Sequence, residues 1–84
     1  MADRTTEEIA RIFQAAGDSV TVINTDTAKN ADETDEEWKR RIERNVSHLE
    51  IIKGYKKENG TSIWTTEDFS SIDAAIVAGK NRIA

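Results

Sequence analysis

Apolar residues recur along this chain at spacings that predict helices. Ile9, Phe13, Ala16, Val20 and Ile23 are separated by four, three, four and three residues, the period that gathers side chains on one helical face. Thr5 and Glu8 stand at capping-box spacing ahead of this seam, so the hydroxyl can accept from a free backbone N–H while the carboxylate reaches back to the cap. A first helix over about 5–26 is expected. Gly17 lies inside it, at a cost of about 1 kcal/mol relative to alanine, and Val20-Thr21-Val22-Ile23 is β-branched. The alternative is a helix that ends at Gly17 and gives way to a short strand.

The polar run Asp26 to Glu33 reads as a connection. Thr34 and Glu37 repeat the capping box, with Asp35, Glu36 and Glu37 at the positive end of the helix dipole. Trp38, Ile42, Val46, Leu49 and Ile52 fall within an arc of roughly 120°, which predicts a second helix over about 34–53, with Gly54 as a left-handed cap. Asp35/Lys39, Glu36/Arg40 and Glu37/Arg41 are acid-before-base pairs four residues apart, the favourable order for ion pairs on an exposed face. Between Gly54 and Trp64, Asn59-Gly60 is a preferred pair for a tight reversal. A two-residue turn there would set Tyr55 opposite Trp64 in a short hairpin over 55–64. An isolated hairpin is marginal, so an irregular loop is the reading preferred. Thr65 as cap, Asp68 at the third position and Trp64 packing on Phe69 as a hydrophobic staple predict a third helix over about 65–80. Its apolar side carries Phe69, Ile72, Ile76 and Ile83, and Gly79 limits its regular part.

These elements predict an all-α, single-domain, three-helix bundle over residues 1–84, more than half helical. The first two helices are antiparallel and the third packs across their seam. A third helix of about 15 residues covers only about 22 Å of a pair about 30 Å long, which leaves an apolar strip near one end. Two copies pairing through that strip would form a homodimer; the alternative is a monomer with a longer third helix.

Composition narrows the chemistry. The 84 residues include no cysteine, so neither a disulfide nor a thiolate metal site supports this small core. No run approaches the roughly 20 apolar residues that span a bilayer, and the opening residues lack a basic segment followed by an apolar run. A cytoplasmic protein is expected, on which reading the sequons at Asn45 and Asn59 are chance matches. The net charge of −4 divides unevenly: −7 over residues 1–37, +5 over 38–57 and −2 over 58–84. An acidic total disfavours a phosphate backbone as principal partner.

No nucleophile elbow, phosphate-binding glycine loop or paired catalytic carboxylates can be found in the sequence, so neither an enzyme nor a cofactor is expected. His48 is the single histidine and has no companion at ligand spacing; a structural or solvated role is expected. The acids Asp32, Glu33, Asp35, Glu36 and Glu37 lack the glycine turn and alternating ligands of a calcium loop. Lys39, Arg40, Arg41 and Arg44 crowd the second helix at about 100°, 200°, 300° and 240° from Trp38. They coat its solvent side, as an ion-paired face would; the alternative is a set of nucleic-acid contacts. Ile51 falls outside the buried arc, and with Tyr55 it marks a candidate partner surface.

The stretches Arg44-Asn45-Val46-Ser47-His48-Leu49-Glu50-Ile51 and Trp64-Thr65-Thr66-Glu67-Asp68-Phe69, followed by Ala74-Ala75-Ile76-Val77-Ala78-Gly79-Lys80, resemble a pattern in short proteins of bacteriophages and prophages. The resemblance covers roughly the C-terminal half, with residues 54 to 63 intervening where such proteins run almost directly from one segment to the other. It implies a small structural or assembly component that acts through protein–protein contacts and performs no catalysis. The quoted residues are mainly caps, staples and seam positions, so no functional residue carries over. The second function class is a small nucleic-acid-binding or regulatory adaptor using the basic second helix.

Overall fold

The computed structural model describes residues 3–64 and 67–84. Three helices form: α1 (Thr6–Thr25, 20 residues), α2 (Asp35–Lys53, 19 residues) and α3 (Ser70–Ile83, 14 residues). The bundle and its helical content above half are as the apolar spacing predicts. Both expected capping boxes close, Thr5 with Glu8 and Thr34 with Glu37. The β-branched run 20–23 is helical, because burial of Ile23 and partial burial of Val20 on the seam outweigh a weak local preference. No short strand replaces it.

Long-range contacts fix the directions. Asp26 at the end of α1 meets Trp38 and Arg41 near the start of α2, Ser19 meets His48, and Asp3 accepts from the Glu58 backbone N–H. The first two helices are therefore antiparallel. Helix α3 runs back along α2, with Asp73 beside Lys53 and Gly79 beside Val46. The core holds Ala16, Ile23, Ile42, Val46, Leu49, Ile52, Ile63, Trp64, Ile72, Ala75 and Ile76.

The cap of α2, the loop after it and both ends of α3 differ from expectation. Helix α2 stops at Lys53 with Gly54 as cap, but Gly54 has φ −90°, not a left-handed value. Its N–H closes a tight last turn on the Ile51 carbonyl at 3.0 Å. The left-handed glycine is Gly60, at φ 86°. Lys57 and Gly60 form an i→i+3 turn (2.9 Å), Thr61 accepts from Lys57 (2.7 Å), and Ile63 donates to Tyr55 (3.2 Å). This is a three-residue hairpin loop of the kind in which a turn is followed by a left-handed residue. One extra loop residue shifts the register by one, so Tyr55 faces Ile63 instead of Trp64, with a single bridge between Lys56 and Ser62.

Helix α3 begins later and ends later than the expected 65–80. Residues 67–69 are not helical, and the expected cap Thr65 lies outside the described residues. Asp68 supplies the start instead, its carboxylate accepting from the Ser70 N–H at 2.8 Å and from the Ser70 hydroxyl. Gly79 does not end the helix, because it is buried at the crossing with α1 and α2 and the chain stays helical through Ile83.

The expected open strip is partly covered within one chain. Ile63, Trp64 and Phe69 close over the N-terminal half of α1, with the Phe13 ring 5.8 Å from Trp64 and 6.2 Å from Phe69. The shortfall in length of α3 is thus partly made up by the segment that precedes it, and a groove between Ile9, Phe13 and Ile63 stays open on this seam.

Gly17 sits exposed in α1, and a Cβ built there would meet nothing within 4 Å. Gly17→Ala is therefore expected to stabilise the protein by about 0.5–1 kcal/mol. The measurement is a higher urea midpoint at unchanged slope; a lower midpoint would contradict the open environment of this position.

Candidate interaction surface on the second helix

The arc Trp38, Ile42, Val46, Leu49 and Ile52 turns one side of α2 inward, leaving the opposite side to carry its charges. Those charges are not arranged as local ion pairs. Glu37 is held in the capping box by the Thr34 N–H at 2.9 Å, and Arg41 turns away from it to the α1–α2 connection. There Arg41 forks between two carboxylates, Nη2 donating to Asp26 Oδ1 at 3.1 Å and to Glu33 Oε1 at 2.8 Å. Trp38 Nε1 also donates to Asp26 Oδ1 at 3.1 Å. Asp26 stands at the negative end of α1, where an acid is unfavourable, and Arg41 offsets it. Arg82 from α3 donates to the carbonyls of Ile23 and Asp26, so one guanidinium of α3 satisfies carbonyls at the C-terminal end of α1.

The pairing of Arg41 holds the Asp26 carboxyl below its ordinary range, chiefly through the Arg41 hydrogen bond. It lowers Glu33 in the same way, and the Arg41 guanidinium is shifted upward by both. A depressed carboxyl contributes stability above its unfolded value, and that contribution is lost as pH falls through the folded value. In Arg41→Met, which keeps an unbranched stem, the loss of stability relative to the parent should be full near pH 7 and shrink below pH about 4. Urea midpoints measured across that range decide it. A difference that stays constant with pH would mean that Arg41 acts by packing alone.

Elsewhere on α2, Lys53 pairs with Asp73, and Glu50 is drawn to Lys80 at 3.0 Å. Lys39, Arg40 and Arg44 make no ion pair among the described residues, so the expected Asp35/Lys39 and Glu36/Arg40 pairs do not form. Of the four basic residues considered as nucleic-acid contacts, Arg41 is thus committed to the fold and the other three remain on the surface.

Arg40, Arg44, Ser47 and Ile51 fall in one stripe, and with Glu43 and His48 they line an open depression. Ile51 is 59% exposed. His48 forms one side of the depression and is half-buried, its Nδ1 2.7 Å from the hydroxyl of the buried Ser19. Tyr55 does not join Ile51. The chain leaves the helix at Gly54, and Tyr55 packs against the core, with the Arg4 guanidinium 4.5 Å above its ring. A second groove lies at the other end of the bundle, between Ile9, Phe13 and Ile63.

The Ser19–His48 contact has no signature in the sequence beyond a serine beside the apolar seam. The available cations Arg40 and Arg44 were legible as basic, but their unpaired state was not, since Glu36 stands at ion-pair spacing ahead of Arg40. Among the described residues no cluster of three or more histidine or acidic side chains is placed to hold a metal ion, and no helix is long and apolar enough to cross a membrane. No protein-family model matches the chain, and no match is found among curated proteins or solved structures.

Proposed function

We propose that this is a non-enzymatic helical component that acts through protein–protein contacts, of the structural or assembly kind implied by the resemblance to phage and prophage proteins. The observation that carries this reading is Ile51. It is one of two large apolar side chains mainly exposed among the described residues, the other being Val77, and it stands beside two unpaired arginines on the outer face of α2. Burying an exposed isoleucine rewards contact with a protein surface, whereas a phosphate backbone offers it little.

The second reading, a nucleic-acid-binding or regulatory adaptor, loses Arg41 to Asp26 and Glu33. Its remaining cations act on a chain of net charge −4. Chromatography on immobilised heparin separates the two. The protein is expected to pass through near physiological salt, and retention that falls steeply with added salt would instead support the adaptor, because it reports release of counterions from a polyanion.

A further inference from the structure

Resting on that protein-contact reading, we propose that the outer face of α2 docks an acidic protein segment carrying an apolar side chain. Its carboxylates meet Arg40 and Arg44, and its apolar side chain lies on Ile51. Arg40, Arg44, Ser47 and Ile51 follow one another at spacings of four, three and four, so they form a single stripe roughly 16 Å long. The depression beside the stripe gives a side chain a place to enter. Ser19 holds His48 from beneath, which fixes one wall.

Charge selects the occupant. The chain satisfies Arg41 and Lys53 internally, and Lys80 draws Glu50 toward α3. Beyond the first turn, whose exposed acids Asp35, Glu36 and Glu37 stand at the N-terminal end of the stripe, the outer face carries Lys39, Arg40 and Arg44 against Glu43, a locally positive stretch that ends at Ile51. The acids Asp35, Glu36 and Glu37 at the start of the same helix repel an acidic partner from that end, and Arg40 and Arg44 attract it one turn further on, so the field along α2 sets which end of the stripe the carboxylates occupy. Guanidinium forks match carboxylates in a bidentate manner. Nucleic acid would supply the anions but leave Ile51 without an apolar partner. Val77, the other exposed apolar residue, lies in a groove with Glu50, Lys53 and Asp73, whose charges are already paired, so it offers no comparable selection.

The test is a titration of the ¹⁵N-labelled full chain, followed by backbone amide shifts. Three probes are used: a short synthetic peptide of glutamates interspersed with leucines, the same peptide with serine replacing each leucine, and a short DNA duplex. The leucine peptide should shift amides between residues 40 and 51. Arg40→Ala combined with Arg44→Ala should weaken it at least about tenfold, and Ile51→Ser severalfold. All three positions are exposed, and an unchanged far-ultraviolet spectrum shows that the variants remain folded. The serine peptide should bind about tenfold more weakly than the leucine peptide.

Equal binding of the two peptides, shifts centred on Ile9, Phe13 and Ile63, or no shifts at all would overturn the docking surface. The protein-contact reading would survive each of those outcomes. Tighter binding of the duplex through Arg40 and Arg44 would overturn both. Shifts of the same amides on dilution without any probe would give the face to a second copy of this chain and overturn the acidic partner.

Discussion

Replacing Trp64 by alanine is expected to destabilise the protein by about 3–5 kcal/mol, the range for removing a buried aromatic side chain. A domain of this length has a total stability of only roughly 4–13 kcal/mol, so the variant should be partly unfolded in mild urea. Trp64 is 8% exposed and lies in a cluster with Phe13 and Phe69, edge-on to the latter at 5.6 Å. Its Nε1 donates at 2.7 Å to the Ile52 carbonyl near the C-terminus of α2; that carbonyl also accepts from the Tyr55 N–H at 3.2 Å. The side chain therefore closes the seam of α1 beyond the reach of α3 and completes the end of α2. Trp64→Phe, which keeps an aromatic ring and loses the donor, should cost much less, with about 1 kcal/mol assigned to the hydrogen bond. Trp38 remains as a fluorescent reporter in both variants. A loss below about 1 kcal/mol in the alanine variant would mean that the cluster around Phe13 is not part of the cooperative core.

The helices that were legible in the sequence are those whose ends are encoded locally. Thr5 with Glu8 and Thr34 with Glu37 need no distant partner, so spacing alone locates both starts. The start of α3 was misplaced by the same rule. Thr65 and Asp68 have cap spacing, yet Asp68 engages Ser70 while Phe69 turns toward Phe13 and Trp64, and the contact with Phe13 is one that no local pattern contains. The Trp64–Phe69 ring contact forms, but Phe69 is the N-cap residue of α3 and not its fourth helical position, so the pair does not staple the helix start as expected. Charges were read least well. An exposed pair four residues apart is worth only about 0.3–0.5 kcal/mol, so a fork between Asp26 and Glu33 readily takes Arg41 away from Glu37. Ile51 could be placed outside the buried arc by counting, but the unpaired state of Arg40 and Arg44 has no signature in the spacing, which sets Glu36 four residues before Arg40.

Gly79→Ala is expected to destabilise the protein by about 1–3 kcal/mol, the usual cost of forcing extra volume into a filled interior. On helix propensity alone the same change would stabilise by about 1 kcal/mol, so sign as well as size is at issue. Gly79 is buried where α3 crosses the other two helices, and an added Cβ would fall inside the van der Waals envelope of Val46 Cγ2, with the Cγ2 atoms of Ile23 and Ile42 each at 3.5 Å. All three neighbours are β-branched and sit in helices, where χ1 has essentially one well. They cannot swing aside cheaply, so α3 must move outward. Such a shift would also pull Arg82 from the carbonyls of Ile23 and Asp26, and Gly79→Val should be worse than alanine. Gly17→Ala is the matched control, since it makes the same chemical change in open space. Urea midpoints moving in opposite directions for the two alanine variants would establish Gly79 as the point of closest helix approach. If Gly79→Ala proves as stabilising as Gly17→Ala, α3 does not lie this close to Val46, and the packing of the third helix described above is wrong.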